Sequence, residues 1–250
     1  MLKSGIAAAD RYIAEHYLSV RGMSSRFAAT ISAATTRIQS EHGISGHLAE
    51  IGTFEGRYFI ALAHALKDGE RAIGIDTFTW PDEGIEARLE ANITKYGPAA
   101  PAIVVKGSSL ELSAEKIRAL APGQKIRFFH IDGEHTPEHL SNDMMLAAQT
   151  IGETGVICLD DMLHPGYPTL GVIVDRFLQS NADFRVFCII DREDIVGAAK
   201  FMICRAAHMD FYVENLMRAF PDNIWPMGAD FRTGKQALVL SLDTRLADIG

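Results

Sequence analysis

The sequence has few cysteines, and their placement argues against two kinds of cysteine-based site. Three occur in 250 residues, and all three, Cys158, Cys188 and Cys204, lie inside apolar runs. Cysteines in such runs are usually small core residues. Because no CxxC pair occurs, the sequence predicts neither a zinc site nor a disulfide framework.

Long apolar runs and an excess of positive charge are also missing. No segment reaches the roughly 20 apolar residues needed to span a bilayer, and the N-terminal residues lack the apolar region of a secretion signal. Acidic residues outnumber basic ones by 32 to 24, which gives a formal net charge of −8. Nucleic-acid binders usually carry a basic surface. We therefore expect a cytoplasmic protein with a small-molecule partner and no membrane or nucleic-acid partner.

The sequence does contain a regular alternation of strand and helix patterns. With 48% hydrophobic residues, the chain can bury one sizeable core, and we expect a single domain over residues 1–250. Residues 1–45 have helical spacing and are expected to form an N-terminal helical lid, with a break at RGMSS (21–25). Residues 46–205 alternate between strand and helix at least five times. Residues 206–250 form a C-terminal extension.

This alternation predicts an α/β fold with a mainly parallel sheet and helices on both faces. Apolar strands such as AIVV (102–105) and VICL (156–159) fit strands that are covered on both sides. The runs FRVFCII (184–190) and AAKFMICRA (198–206) are too close together for a crossover helix, so we expect an antiparallel hairpin at one edge. The apolar run QALVLSL (236–242) either extends the sheet or forms an oligomer interface.

A glycine-containing loop follows the first predicted strand. The segment EIGTFEG (50–56) precedes a helix, and its Gly52 and Gly56 allow the backbone to turn and to approach a ligand closely. Asp76 ends the second strand, where a carboxylate can accept both hydroxyls of a ribose. The combination predicts a nucleoside-binding site rather than an ordinary turn. The fingerprint GxGxxG and the P-loop are absent, which disfavours NAD(P) and ATP.

Three carboxylates follow the fourth and fifth predicted strands. Asp132 ends the fourth strand, and Asp160 and Asp161 end the fifth. Because the carboxyl ends of parallel strands meet at one edge, these groups should be neighbours, and they would repel one another unless protonated or metal-bound. Oxygen ligands of this kind suit a divalent cation such as Mg²⁺. The alternative is that Asp132 and Asp161 cap a turn and a loop and that Asp160 is solvated.

Three side chains near these carboxylates are candidates for a general base. His135 lies three residues after Asp132, and an imidazole has a pKa suited to accepting a hydroxyl proton near neutral pH. Glu134 and His164 are the alternatives.

Taken together, the segments EIGTFEG, GIDTF, KGSS, HIDGEH and GVICLDD resemble the class I S-adenosylmethionine-dependent methyltransferases. The nearest branch is that of the metal-dependent O-methyltransferases of the catechol type and of sugar and antibiotic tailoring, over about residues 46–205. The resemblance implies a Rossmann-like, seven-stranded sheet whose last two strands are antiparallel. It also implies methyl transfer from S-adenosyl-L-methionine to a hydroxyl of a small molecule, a divalent cation (Mg²⁺ above all) and a homo-oligomer.

The resemblance also implies roles for individual residues. Those expected to bind the cofactor are Glu50, Gly52, Thr53, Gly56, Asp76, Thr77, Phe78, Gly107, Ser108, Ser109 and Asp132. Those expected to hold the cation are Asp132, Asp160 and Asp161, and those expected to act in catalysis are His135 and Glu134. The alternative functions are metal-independent N- or C-methylation and an inactive cofactor-binding partner protein. A nicotinamide dehydrogenase is disfavoured by the missing fingerprint.

Overall fold

The computed structural model describes residues 2–100, 102–231 and 235–244. The helices are α1 (Ala7–Glu15), α2 (Arg26–Glu41), α3 (Arg57–Ala63), α4 (Ile85–Tyr96), α5 (Ala114–Leu120), α6 (Pro137–Thr150), α7 (Thr169–Ser180) and α8 (Met209–Ala219). The strands are β1 (His47–Ile51), β2 (Ala72–Asp76), β3 (Ala102–Lys106), β4 (Ile126–Ile131), β5 (Ile151–Met162), β6 (Phe184–Ile190), β7 (Ala199–Arg205), β8 (Ala229–Asp230) and β9 (Gln236–Leu240). None of the described helices is both long and apolar enough to cross a lipid bilayer.

The strands form one sheet in the order β3-β2-β1-β4-β5-β7-β6-β9-β8. Strands β1 to β5 are parallel to one another, and β7 is antiparallel to both β5 and β6. The α/β fold with a mainly parallel sheet and an antiparallel β6–β7 pair is therefore confirmed.

The sheet is larger than the seven strands expected from the sequence. In the described residues it has nine, because β9 pairs in parallel with β6 and β8 pairs with β9. The C-terminal apolar run therefore extends the sheet beyond the β6–β7 pair. Its last residues, 245–250, and residues 232–234 of the predicted extension lie outside the described part of the chain.

Helices cover both faces of the sheet. One apolar cluster combines the sheet with α1, α2, α3 and α8, and a second combines it with α5, α6 and α7. Phe128 and Phe129 are neighbours in β4 and belong to different clusters, as expected when successive side chains of a strand point to opposite faces. Cys158, Cys188 and Cys204 are buried and free, which confirms their prediction as core residues.

The predicted break at residues 21–25 separates a short 3₁₀ turn after α1 from α2. Ser25 caps α2, because its side chain accepts a hydrogen bond from the backbone N–H of Ala28. Both ends of the break are tied to the core. Arg57 Nε donates to the Val20 carbonyl at 2.6 Å, and the Tyr17 hydroxyl donates to the Ser25 carbonyl at 3.1 Å. These bonds hold residues 21–24 over the carboxyl edge of the sheet.

Candidate active site

A cavity of about 570 Å³ lies at the carboxyl edge of the parallel strands, where open α/β sheets bind ligands. The loops after β1 to β5 line it together with residues 21–24. Its volume lies within the range of cofactor and substrate pockets. All the predicted site residues except Gly56 and Phe78 line this cavity.

Gly52 follows the end of β1 and lies against the backbone of Asp132, which follows β4. Its φ is +84°, and a Cβ atom there would lie 1.7 Å from the carbonyl oxygen of Asp132. Gly56 has a φ of +90° immediately before α3, and a Cβ atom there would lie 2.6 Å from Leu89 Cδ1. The first glycine therefore shapes the cavity floor, and the second allows the chain to turn into α3.

Asp76 organises the loop around it. Its carboxylate accepts hydrogen bonds from the backbone N–H groups of Phe54 and Phe78, both at 2.8 Å, and both of those residues have positive φ. Each carboxylate oxygen keeps a lone pair for a ligand hydroxyl. Phe78 itself packs against Ile85 and Leu89, so its side chain stabilises the loop from beneath instead of bordering the cavity.

The other residues that were expected to bind the cofactor lie in loops that are hydrogen-bonded to their neighbours or that line the cavity. The Gly107 N–H donates to the Asp76 carbonyl at 2.9 Å, which fixes the loop after β3 beside the loop after β2. The Ser109 carbonyl accepts a hydrogen bond from Asn142 at 3.0 Å. Thr53 is buried, and Thr77 and Ser108 lie at the cavity wall.

Glu50 is a buried carboxyl group with one unused oxygen. Its Oε1 contacts His130 Nδ1 at 2.7 Å, whereas its Oε2 is buried and has no partner among the described residues. Burial raises the pKa of Glu50 well above its usual value, and the nearby charge of Lys200 opposes that rise. A cationic ligand in the cavity would supply the missing partner.

Lys200, on β7, was not predicted as a site residue. Its side chain is 1% exposed, and its ammonium contacts Asp160 Oδ2, His130 Nε2 at 3.2 Å and the face of Tyr58, 4.7 Å from the ring centroid. Burial lowers the pKa of Lys200, but the charges of Asp160 and Asp132 raise it by more. The pKa of Lys200 is therefore above its ordinary value. The sequence feature that could have identified Lys200 is a lysine within the apolar run of a buried strand.

His135 and Asp161 form a hydrogen-bonded pair in the cavity wall through Nε2 and Oδ2. The His135 ring stacks on Tyr167, with centroids 4.1 Å apart and 9° between the planes. Burial lowers the pKa of His135, but the Asp161 hydrogen bond and charge raise it above its ordinary value. Burial raises the pKa of Asp161, and His135 more than offsets this, leaving it lowered. The pair is therefore a fixed imidazole–carboxylate unit.

The other two candidate bases also line the cavity. His164 stacks on Tyr167 with centroids 4.8 Å apart, and its Nδ1 accepts a hydrogen bond from the Gly166 N–H at 2.9 Å. Glu134 is exposed. The carboxylate contact distinguishes His135 from both of them.

The three predicted cation ligands are not equally available. Asp160 is bound through Oδ2 to Lys200, and its Oδ1 accepts from the Asp161 N–H at 2.8 Å. A divalent cation ligated by Asp160 would lie beside the ammonium, and at about 4 Å the repulsion is roughly 8 kcal/mol for an effective dielectric constant of about 20, which cancels the attraction of one carboxylate at the same distance. Among the described residues, two groups have ligand atoms within 4.8 Å of one another: His130, Asp132 and Asp160, and Asp132, His135 and Asp161. The first contains both hydrogen-bonding partners of the Lys200 ammonium, and the second contains the hydrogen-bonded His135–Asp161 pair. The predicted set of three aspartates therefore does not fit a divalent cation while Lys200 stays in place.

Comparisons with known proteins agree with this architecture. Residues 49–162 match the profile of a methyltransferase domain. The O-methyltransferase TomG from Streptomyces achromogenes, solved with S-adenosylmethionine, superposes with a TM-score of 0.57 at 19% identity, over 81% of this chain and 88% of that one. The matched segment is thus similar to a methyltransferase domain, and the chain has the fold of the class I S-adenosylmethionine-dependent methyltransferases.

Two further solved structures share the fold of this chain. An O-methyltransferase from Bacillus cereus in complex with SAH has a TM-score of 0.58 at 14% identity, over 82% of this chain and 92% of that one. CalS11, a TDP-rhamnose 3′-O-methyltransferase of calicheamicin biosynthesis, has a TM-score of 0.51 at 15% identity, over 80% of this chain and 92% of that one. A comparison with curated protein sequences gives no match.

Proposed function

We propose that this methyltransferase transfers the methyl group of S-adenosylmethionine to a hydroxyl of a small molecule. One observation carries the proposal: a single cavity joins the Gly52 loop and Asp76 to the His135–Asp161 pair. The first part suits a nucleoside cofactor, and the second suits deprotonation of an acceptor. The O-methyltransferases with the same fold support a hydroxyl as the acceptor group.

The cofactor half of the cavity has groups that complement S-adenosylmethionine. The unpartnered Oε2 of Glu50 is an acceptor for the ammonium group of the methionine portion. The Asp76 carboxylate has free lone pairs for the two ribose hydroxyls. Gly52 lines the same half of the cavity, and its lack of a side chain lets the end of β1 pack directly against the Asp132 backbone. When bound, the cofactor supplies an electrophilic methyl group on a sulfonium.

The half of the cavity that would hold the methyl acceptor contains a base, His135, whose ring has a fixed orientation. His135 Nε2 is bonded to Asp161, so Nδ1 is the ring nitrogen that takes the proton from the acceptor hydroxyl. Asp161 stabilises the imidazolium that results, as the carboxylate of a catalytic triad does. Tyr167 holds the ring plane by stacking. Methyl transfer is an in-line displacement, so positioning and proton removal account for the catalysis.

Binding of the cofactor is tested by calorimetric titration with S-adenosylmethionine of the wild type and Asp76→Ala. We expect binding by the wild type and a large loss in the variant, because two ribose hydroxyls lose their acceptor and the Phe54 and Phe78 N–H groups lose theirs. Absence of binding by the wild type would overturn the proposed function.

The role of His135 is tested by S-adenosylhomocysteine formation with a panel of catechols, phenols and sugars. His135→Asn should lower kcat by roughly 10²–10⁴ and leave cofactor affinity unchanged. The matched control is His164→Asn, which removes an imidazole that also stacks on Tyr167 but lacks the contact with Asp161. An equal loss in the control, or none in His135→Asn, would assign the base elsewhere.

A further inference from the structure

A row of buried polar side chains crosses four adjacent strands beneath the cavity. Glu50 lies on β1, His130 on β4, Asp160 on β5 and Lys200 on β7. Contacts join all four side chains: Glu50 with His130, His130 with Lys200, and Lys200 with Asp160. Buried charges are costly unless they are paired, so this arrangement needs a reason.

The Lys200 ammonium has an acceptor for each of its three N–H bonds. They are Asp160 Oδ2, His130 Nε2 and the π face of Tyr58. No N–H remains for a substrate or a cofactor. Because the side chain is 1% exposed, the ammonium is a resident part of the site and not a group awaiting a ligand.

The contacts also fix the proton positions along the row. An ammonium only donates, so His130 Nε2 must accept from Lys200, and the ring proton is on Nδ1, where it is donated to Glu50 Oε1. His130 is neutral, because burial and the Lys200 charge lower its pKa well below the ordinary value. The single positive charge of the row is therefore on Lys200, beside Asp160 and Asp132.

We infer that the Lys200 ammonium is a built-in cation that takes the place of a divalent metal in the carboxylate cluster, so that methyl transfer here is independent of divalent ions. The inference rests on the proposed function. Lys200 neutralises Asp160 and leaves a divalent ion no stable position beside it. Asp161 is hydrogen-bonded to His135, so Asp132 is the only one of the three aspartates that neither Lys200 nor His135 contacts through a hydrogen bond.

Metal binding by the apoprotein gives a readout that does not depend on turnover. Mn²⁺ is titrated against the wild type, Lys200→Met and the double variant Lys200→Met/Asp160→Asn, and free Mn²⁺ is followed by electron paramagnetic resonance. We expect weak, millimolar binding by the wild type. Lys200→Met should bind Mn²⁺ about tenfold more tightly or better, since removing the ammonium removes its repulsion. The double variant should lose that gain.

Turnover gives a second readout with the wild type. Product formation, once an acceptor has been found, should be the same in EDTA as in Mg²⁺. Micromolar Mn²⁺ binding by the wild type, or loss of turnover in EDTA that Mg²⁺ restores, would overturn the inference. If circular dichroism shows that Lys200→Met does not fold, Mn²⁺ binding by the wild type and its turnover in EDTA still test the inference. A failure to bind S-adenosylmethionine would refute the proposed function instead, because the Mn²⁺ titration is independent of the cofactor.

Discussion

Replacing Arg127 by methionine should destabilise the protein strongly, because it leaves a buried carboxylate without its cation. Arg127 on β4 and its partner Glu70 are each 1% exposed. The guanidinium donates to the two Glu70 oxygens at 3.0 and 2.8 Å, and to the carbonyl oxygens of Thr36 and Ala65, both at 2.9 Å. It therefore links β4 to α2 and to the residues that follow α3.

The magnitude follows from what is left unpaired. Removing one partner of a buried ion pair costs about 3–5 kcal/mol. Glu70 would keep two donors, the backbone N–H groups of Gly46 and Lys67, both at 2.9 Å, which places the cost near the lower limit. We expect a loss of about 3 kcal/mol in the free energy of unfolding. For a chain of this length that lowers the melting temperature by roughly 6–12 °C.

Urea unfolding followed by circular dichroism measures this loss from the shift in midpoint at constant m value. Two variants serve as controls. Arg118→Met breaks an exposed pair with Glu115 and should cost less than about 1 kcal/mol. Arg127→Met/Glu70→Gln also removes the unpaired charge of Glu70 and should recover part of the lost free energy of unfolding. A loss below about 1 kcal/mol in Arg127→Met, or a double variant less stable than the single one, would refute this reasoning.

Two further substitutions test the cofactor side of the site by calorimetric titration with S-adenosylmethionine. Gly52→Ala should abolish binding, because its Cβ would lie 1.7 Å from a carbonyl oxygen, whereas Gly171→Ala, with open space around its Cβ, should bind normally. Arg57→Met removes the hydrogen bond to the Val20 carbonyl and should weaken binding by about tenfold or more, the equivalent of one charged hydrogen bond. Unchanged affinity in Arg57→Met would mean that residues 21–24 do not cover the cofactor.

Most of the fold could be predicted from the sequence because hydrophobic periodicity decides it. The strands β1 to β7 are apolar runs separated by amphipathic helices or a short turn, and helix caps such as Ser25 and Ser113 are local signals. The extra strands could not be predicted in the same way. Strand β6 is buried almost throughout, and its apolar pattern is the same whether or not another strand covers its outer edge. Its pairing with β9 depends on the chain crossing back through α8.

The candidate site was predictable where it follows strand ends. The rule that ligands bind at the carboxyl edge located Asp76, Asp132 and the Asp160–Asp161 pair, and all of these line the cavity. Phe78 was expected to bind the cofactor because of the family resemblance, yet its side chain turns into the core. A sequence does not distinguish an aromatic residue that faces a ligand from one that supports the loop.

Lys200 was not predicted, for a different reason. It lies near the start of β7, which runs antiparallel to β5. The rule that ligands bind at the carboxyl ends of parallel strands therefore does not apply to it. Because β7 enters the sheet at the edge where β5 ends, its first residues meet the carboxylates that follow β5. An ammonium placed this way is fixed before any ligand arrives, and fixed charges stabilise a reacting group without reorganisation. The charge next to the acceptor should then depend on the protein's own side chains and not on the divalent ions in the medium.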